Sequence, residues 1–276
     1  MDNRMGENIG GPSLIAVPEW VENPLGKYYL YFAHHDGTYM RMAYSDELTG
    51  PWQVYSPGVL SLAQSEFAGH IASPDVHVDH EARQIRLYFH GSDFRTDAYA
   101  AQHTKLALSG DGLSFTTNSD DLGPAYLRLF LWQGFYYGLA MPGVFFRSVA
   151  GLSSFEQGIT LPTPAMRHNA LVVKGNTLSI YYSSIGDWPE HILCSRIELT
   201  EDWTDWSISE TVSVLKPEQD FEGFDCPFIA SSRGMAETRL HQLRDPGIFC
   251  EGNREYLLYS VAGESGIGLA EMLVSD

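Results

Sequence analysis

Asn169-Ala170-Leu171-Val172-Val173, a break at Lys174-Gly175-Asn176, then Thr177-Leu178-Ser179-Ile180-Tyr181-Tyr182-Ser183 reads as an apolar strand followed by a Tyr-bearing return strand. The same plan recurs along the chain. Further opening strands are Gly11–Ile15, Ser73–His77, Tyr126–Phe130 and Asp245–Phe249. Their partners are Lys27–Ala33, Ile85–His90, Phe135–Ala140 and Glu255–Val261, and a third strand follows, as at Tyr39–Ser45. Periods of roughly 40–50 residues with several strands each are the signature of propeller blades. The reading is all-β, a single-domain five-bladed β-propeller, with blades near 10–55, 69–118, 122–158, 166–214 and 240–274.

Working outward, turn chemistry separates the strands: His34-His35-Asp36-Gly37, Leu48-Thr49-Gly50-Pro51-Trp52 and Ser109-Gly110-Asp111-Gly112 carry the Gly, Pro and Asp that tight turns need. No segment sustains a capped helical apolar stripe, and 26 Gly with 14 Pro argue against one. The 15 Tyr and 14 Phe suit half-buried pleated surfaces. Pro217–Glu237 is the least patterned stretch, and a loop of that length is expected to be functional or mobile.

With 35 acidic against 17 basic side chains, the net charge of −18 disfavours nucleic acid, whose affinity comes mostly from Lys and Arg. No apolar run reaches membrane-spanning length. Met1–Gly11 lacks the apolar core of a signal peptide, so a cytoplasmic location is the expectation. Three cysteines, Cys194, Cys226 and Cys250, form no paired spacing and read as free thiols. A neutral small molecule is the partner expected; oligomeric state is left open.

In a propeller the first strand of each blade lines the central channel. Its start and the second-to-third-strand loops share one face. That geometry gathers Ser13, Asp75, Arg128, His168, Asn169 and Asp245 with the loops bearing His35, His90, Asp187, Trp188 and Glu264. Proline is tolerated at a strand's first residue and fixes the backbone beside the aspartates of Ser73-Pro74-Asp75 and Arg244-Asp245-Pro246. The two carboxylates are therefore expected to meet in one pit.

Asp75 in Ala72-Ser73-Pro74-Asp75-Val76 resembles the A-P-D-V aspartate of the five-bladed family 43 glycoside hydrolases, and Arg244-Asp245-Pro246 is similar to the R-D-P element of families 32 and 68. The wider repeat, with Tyr-Ser-Asp-X-Leu-X-Gly-Pro-Trp at Tyr44–Trp52, resembles family 43 and the related families 62, 117 and 130. The resemblance implies hydrolysis of a terminal glycosidic bond of a small neutral oligosaccharide, with acidic groups in divided roles. It assigns Asp75 and Asp245 as base and transition-state stabiliser, in either order. The chain departs from the pattern in blade one, where Pro12-Ser13 replaces Asp-Pro, and no Glu heads blades three or four. His168, by analogy with family 117, or Glu222 is then the proton donor, with Asp225 and Glu264 as competing acids. Arg244, Arg128 and Arg167 read as substrate clamps, and Trp188 as a sugar-stacking platform.

Strand alternation places His77 on the face of Asp75. The ten histidines include no zinc spacing. No cofactor is expected, although a cation held by oxygen ligands in the channel is an option the fold allows. Alternative readings are a non-catalytic carbohydrate-binding propeller and a sugar lyase or phosphorylase on the same fold.

Overall fold

The computed structural model describes residues 8–35, 37–94 and 101–273. Asp36 of the first-blade loop, the lead-in before Asn8 and Val274 at the expected end of blade five lie outside these residues. Strands β1 to β20 form five antiparallel sheets arranged as propeller blades. Blade one holds β1 (Gly10–Ala16), β2 (Tyr28–Ala33), β3 (Tyr39–Ser45) and β4 (Gln53–Val54), with β5 (Leu60–Ser61) also on β3. Blade two holds β6 (His70–Asp79), β7 (Gln84–Ser92), β8 (His103–Ser109) and β9 (Thr116–Pro124). In blade three are β10 (Arg128–Trp132), β11 (Phe135–Ala140), β12 (Val144–Ser148) and β13 (Glu156–Thr160). Blade four comprises β14 (Met166–Lys174), β15 (Thr177–Ser184), β16 (Ile192–Glu198) and β17 (Val212–Leu215). Blade five has three strands, β18 (Arg244–Glu251), β19 (Arg254–Val261) and β20 (Gly266–Met272). Among the described residues no helix is long and apolar enough to cross a membrane.

Middle strands are buried on both faces because each sheet is covered by its neighbours; every residue of Tyr28–Ala33 is buried. Tyr29, Tyr31, Met40, Met42, Ile71, Leu87 and Phe89 fill the space between blades one and two. Between blades three and four the filling is aromatic: Phe130, Trp132, Tyr137, Phe145, Trp203 and Trp206. Such rings bury on the order of 150–250 Å² each and dominate core energetics. Blade five closes onto blade one through a parallel bridge of Ile9 with Ser265, where the Ile9 N–H donates to the Glu264 carbonyl at 2.7 Å.

Near the start of each inner strand one residue is left-handed: Gly11 (φ 62°), Ser73 (50°), Tyr126 (61°), His168 (42°) and Asp245 (47°). In blades one, two, four and five the pairing with the second strand slips at this point. Non-glycine residues held there cost of order 1–3 kcal/mol each, and such strain gathers at working sites. The slip corrects the expected equivalence of the two aspartates. Asp245 occupies the bulge, where blade two carries Ser73. Asp75 lies beyond its bulge, opposite Tyr88, at the level of Ser13 opposite Tyr31 and Gly247 opposite Leu258.

Candidate active site

The bulge residues and the loops above them enclose two adjoining cavities at one end of the channel, of about 20 and 10 Å³. Tyr126 and His35 line both; His168 and Arg167 line the first, Asp245, Glu264 and Ser73 the second. Each volume suits a single water. Arg233 and Gly234 also line the first cavity. Arg167 donates to the Ser232 and Gly234 carbonyls at 2.8 and 3.2 Å, and Arg244 to Gly234 at 3.2 Å, so this segment is strapped to the rim.

Two histidine–carboxylate pairs face this pit. His168 Nδ1 is in short contact with Asp245 Oδ1, and Asp245 Oδ2 accepts the Gly11 N–H and the Ser260 hydroxyl, each at 3.1 Å. Gly10 is required beside it, since a Cβ there would stand 2.4 Å from Asp245 Oδ2. Burial opposes ionisation of Asp245, but His168, then Arg167 and His35, hold its carboxyl far below the usual range. An ionised carboxylate only accepts, so a hydrogen at His168 Nδ1 is the arrangement that suits this contact. Burial, only partly offset by Asp245, depresses the His168 pKa.

The second pair has the opposite bias. His35 Nδ1 lies 3.7 Å from Glu264 Oε2, which also accepts from Asn8 Nδ2 at 2.5 Å. Burial pushes His35 down, yet Glu264 outweighs it and raises the pKa overall. Glu264 itself falls to about 2: burial opposes this, and His35 together with Arg244 overcomes it.

A buried ionic network supports both pairs. Arg244, 1% exposed, places Nε 3.0 Å from Glu190 Oε2 and Nη1 3.0 Å from Glu264 Oε1, while Gln242 Oε1 accepts from its Nη2 at 2.6 Å. Glu190, 0% exposed, also accepts the Ser183 hydroxyl at 2.7 Å and lies 3.6 Å from Arg167 Nε. Beneath them His90 packs on Tyr126 at 4.2 Å between ring centroids, and Tyr126 on His168 at 4.7 Å. Burial and the surrounding His70 and His35 keep His90 well below the ordinary histidine range.

No protein-family model matches the chain. An uncharacterized protein of Acanthamoeba polyphaga mimivirus is 36% identical over 299 aligned residues, which cover 96% of this chain and 83% of the viral protein. The chain belongs to that protein's family. Its fold is the five-bladed propeller of the family 43 glycoside hydrolases. A thermostable family-43 glycoside hydrolase superposes with a TM-score of 0.66 at 14% identity, over 99% of this chain and 93% of the other. A family 43 β-xylosidase/α-arabinofuranosidase from a compost microbial metagenome gives 0.66 at 12% identity, covering 98% and 93%. An exo-1,5-α-L-arabinanase from a bovine ruminal metagenomic library gives 0.60 at 12%, covering 100% and 96%.

Asp245, His168, Arg167, Arg244, Glu264, His35 and His90 thus converge at one end of the channel. Asp75, His77 and Arg128 do not join them. They line a separate cavity of about 220 Å³ further along the inner strands, with Ser13, Leu129 and Gly247. There Asp75 Oδ2 is 2.9 Å from His77 Nε2 and accepts the Leu129 N–H at 3.0 Å. Burial opposes its ionisation, but His77 and Arg128 lower its pKa. Arg128 is no free clamp: it donates to the carbonyls of Asn169 at 3.2 Å, of Ser73 at 3.4 Å and of Pro74, tying blades two, three and four.

Glu222 is a structural cap, not a channel acid. Its Oε2 accepts the backbone N–H of Glu218 at 2.8 Å and of Gln219 at 3.0 Å, and Oε1 accepts the Tyr259 hydroxyl at 2.7 Å. Glu222→Ala is expected to cost about 1–3 kcal/mol in urea unfolding, the penalty for stranding buried donors, with pit chemistry preserved. Asp187 sits 3.8 Å from His191 on the loop that carries the exposed Trp188. Glu190 and Tyr126 are the pit residues that motif reading passes over. A Glu inside the Asp187–His191 loop, and a Tyr heading an inner strand, were the available signals.

Proposed function

We propose that the protein is a glycosidase that takes the terminal sugar of a neutral oligosaccharide at the mouth of the channel. The observation that carries this reading is the opposed bias of His168–Asp245 and His35–Glu264 around one pit. Paired titratable groups whose surroundings push their pKa values apart mark the base and the acid. His168, its pKa depressed by burial and its Nδ1 facing Asp245, offers Nε2 as the proton acceptor. His35, its pKa raised by Glu264, is the donor. This reverses the role expected of His168 from the resemblance.

In the reaction a water oxygen bonds to the anomeric carbon while its proton passes to His168 Nε2. The glycosidic C–O bond breaks, and the leaving oxygen takes the proton of His35. Asp245 stabilises the imidazolium formed at His168, the part a buried aspartate plays beside a general-base histidine. Sugar entry requires Ser232–Gly234 to shift, because the pit has room only for water.

The test is turnover of xylo- and arabino-oligosaccharides, with xylotriose as the first probe because it occupies the structurally similar β-xylosidase/α-arabinofuranosidase. Reducing-end release by the intact chain, largely lost in His35→Gln, is the expected result. No product from any neutral series overturns the reading. A non-catalytic sugar-binding role is the second reading, favoured by the water-sized pit and by Gly11 at the bulge of blade one. Calorimetric binding without product would establish it.

The pH dependence follows from the two biases. His168 must be unprotonated and its pKa is depressed, so activity falls on the acid side below about 6.5, the ordinary histidine value. His35 must be protonated and its pKa is raised, so activity falls on the alkaline side above that value. A bell-shaped kcat/KM profile is expected, and His35→Gln should remove its alkaline limb along with most turnover.

A further inference from the structure

Trp188 is 67% exposed, Phe224 52% and Phe228 48%, an uncommon display of large rings in one place. They form a row. Trp188 and Phe228 have centroids 5.2 Å apart, Phe228 and His241 4.9 Å, and His241 and Phe224 5.6 Å. The polar edges of this row are already used. Trp188 Nε1 donates to the Phe228 carbonyl at 3.2 Å, and His241 Nδ1 is bonded to the Phe224 carbonyl at 2.7 Å. What remains exposed is ring carbon, on rings inclined to one another by 46°, 73° and 49° along the row.

From this row we infer that Trp188, Phe228 and Phe224 form an accessory platform that holds the remote sugar rings of an oligosaccharide whose end occupies the pit. The inference rests on the glycosidase reading and extends it to substrate length. Pyranose and furanose rings present an apolar C–H face that packs on aromatics, and each spacing along the row is close to one sugar ring. Continuity with the pit sets the direction. Phe228 starts the stretch that ends at Gly234 on the pit rim, and the Ser231 N–H donates to the Asp187 carbonyl at 3.0 Å, fixing that stretch to the Trp188 loop. The net charge of −18 disfavours an anionic chain as the ligand.

The experiment measures kcat/KM and calorimetric affinity for xylo- and 1,5-arabino-oligosaccharides from disaccharide to hexasaccharide, in wild type, Trp188→Ala and Phe228→Ala. Wild type should gain with each added sugar. In the variants the ratio of kcat/KM for the hexasaccharide to that for the disaccharide should fall about ten-fold, from the ~1–1.5 kcal/mol of one lost ring contact. Turnover with an unaltered length ratio overturns the platform and leaves the pit reading standing. Neither binding nor turnover by wild type overturns both. Self-association in sedimentation that Trp188→Ala abolishes, with sugar affinity unchanged, also overturns the platform, because the row would then be a protein interface.

Discussion

Asp245→Asn should lower kcat by about 10²–10⁴-fold while the propeller still forms. The carboxylate fixes the His168 hydrogen at Nδ1; an amide turned to donate would force the other tautomer and remove the basic nitrogen from the pit. Steady-state kinetics on the best oligosaccharide, with circular dichroism to establish folding, measures this. The matching control is Asp75→Asn. Its carboxylate lines the separate 220 Å³ cavity with His77, so turnover should stay near wild type. Equal losses in the two variants would mean that the pit assignment is wrong.

Arg244→Met should destabilise the fold by about 3–5 kcal/mol, the effect of removing one partner from a buried ion pair. Arg244 serves two carboxylates at once, Glu190 at 3.0 Å and Glu264 at 3.0 Å, and methionine leaves Glu190 with Arg167 at 3.6 Å and Glu264 with His35 at 3.7 Å. The relief then open to Glu264 is to take up a proton, which raises its pKa from about 2. The sign of the linkage follows. A depressed carboxylate stabilises the fold above its unfolded pKa and loses that contribution as pH falls through the folded value. Wild type therefore keeps the Glu264 contribution at pH 5, and its acid loss extends from about 4.5 down to about 2. The variant should show less of this acid dependence in urea midpoints; an unchanged midpoint would contradict the network.

The blades were legible because strand and turn signals are local. Phe135–Ala140 and Tyr39–Ser45 are strands over the bounds their sequence suggests. The site was harder to read because one bulge moves a side chain to another level of the channel. Asp245 precedes its proline and sits in the bulge. Asp75 follows its proline and has already passed it. Two similar tripeptides thus deliver carboxylates to different cavities, and no spacing within either motif records the slip. Glu222 misleads for another reason. In a loop it looks like an exposed acid, yet a carboxylate that accepts two backbone N–H groups and a phenol is a buried cap. Glu190 acquires meaning only once blade four is packed beside blade five, and Tyr126 once blades two and four flank it.

The bridge between Ile9 and Ser265 has a consequence for synthesis. Asp245, Glu264 and Arg244 all belong to the final sheet, and Asn8 and Gly11 reach them from the opposite terminus. A chain cut before Arg244 would carry four blades, with His35 and His168 in place but without Glu264 and Asp245 to bias them. Competence is then acquired only as the circle snaps shut, and a product cut at that point should be chemically silent however well its other sheets have folded.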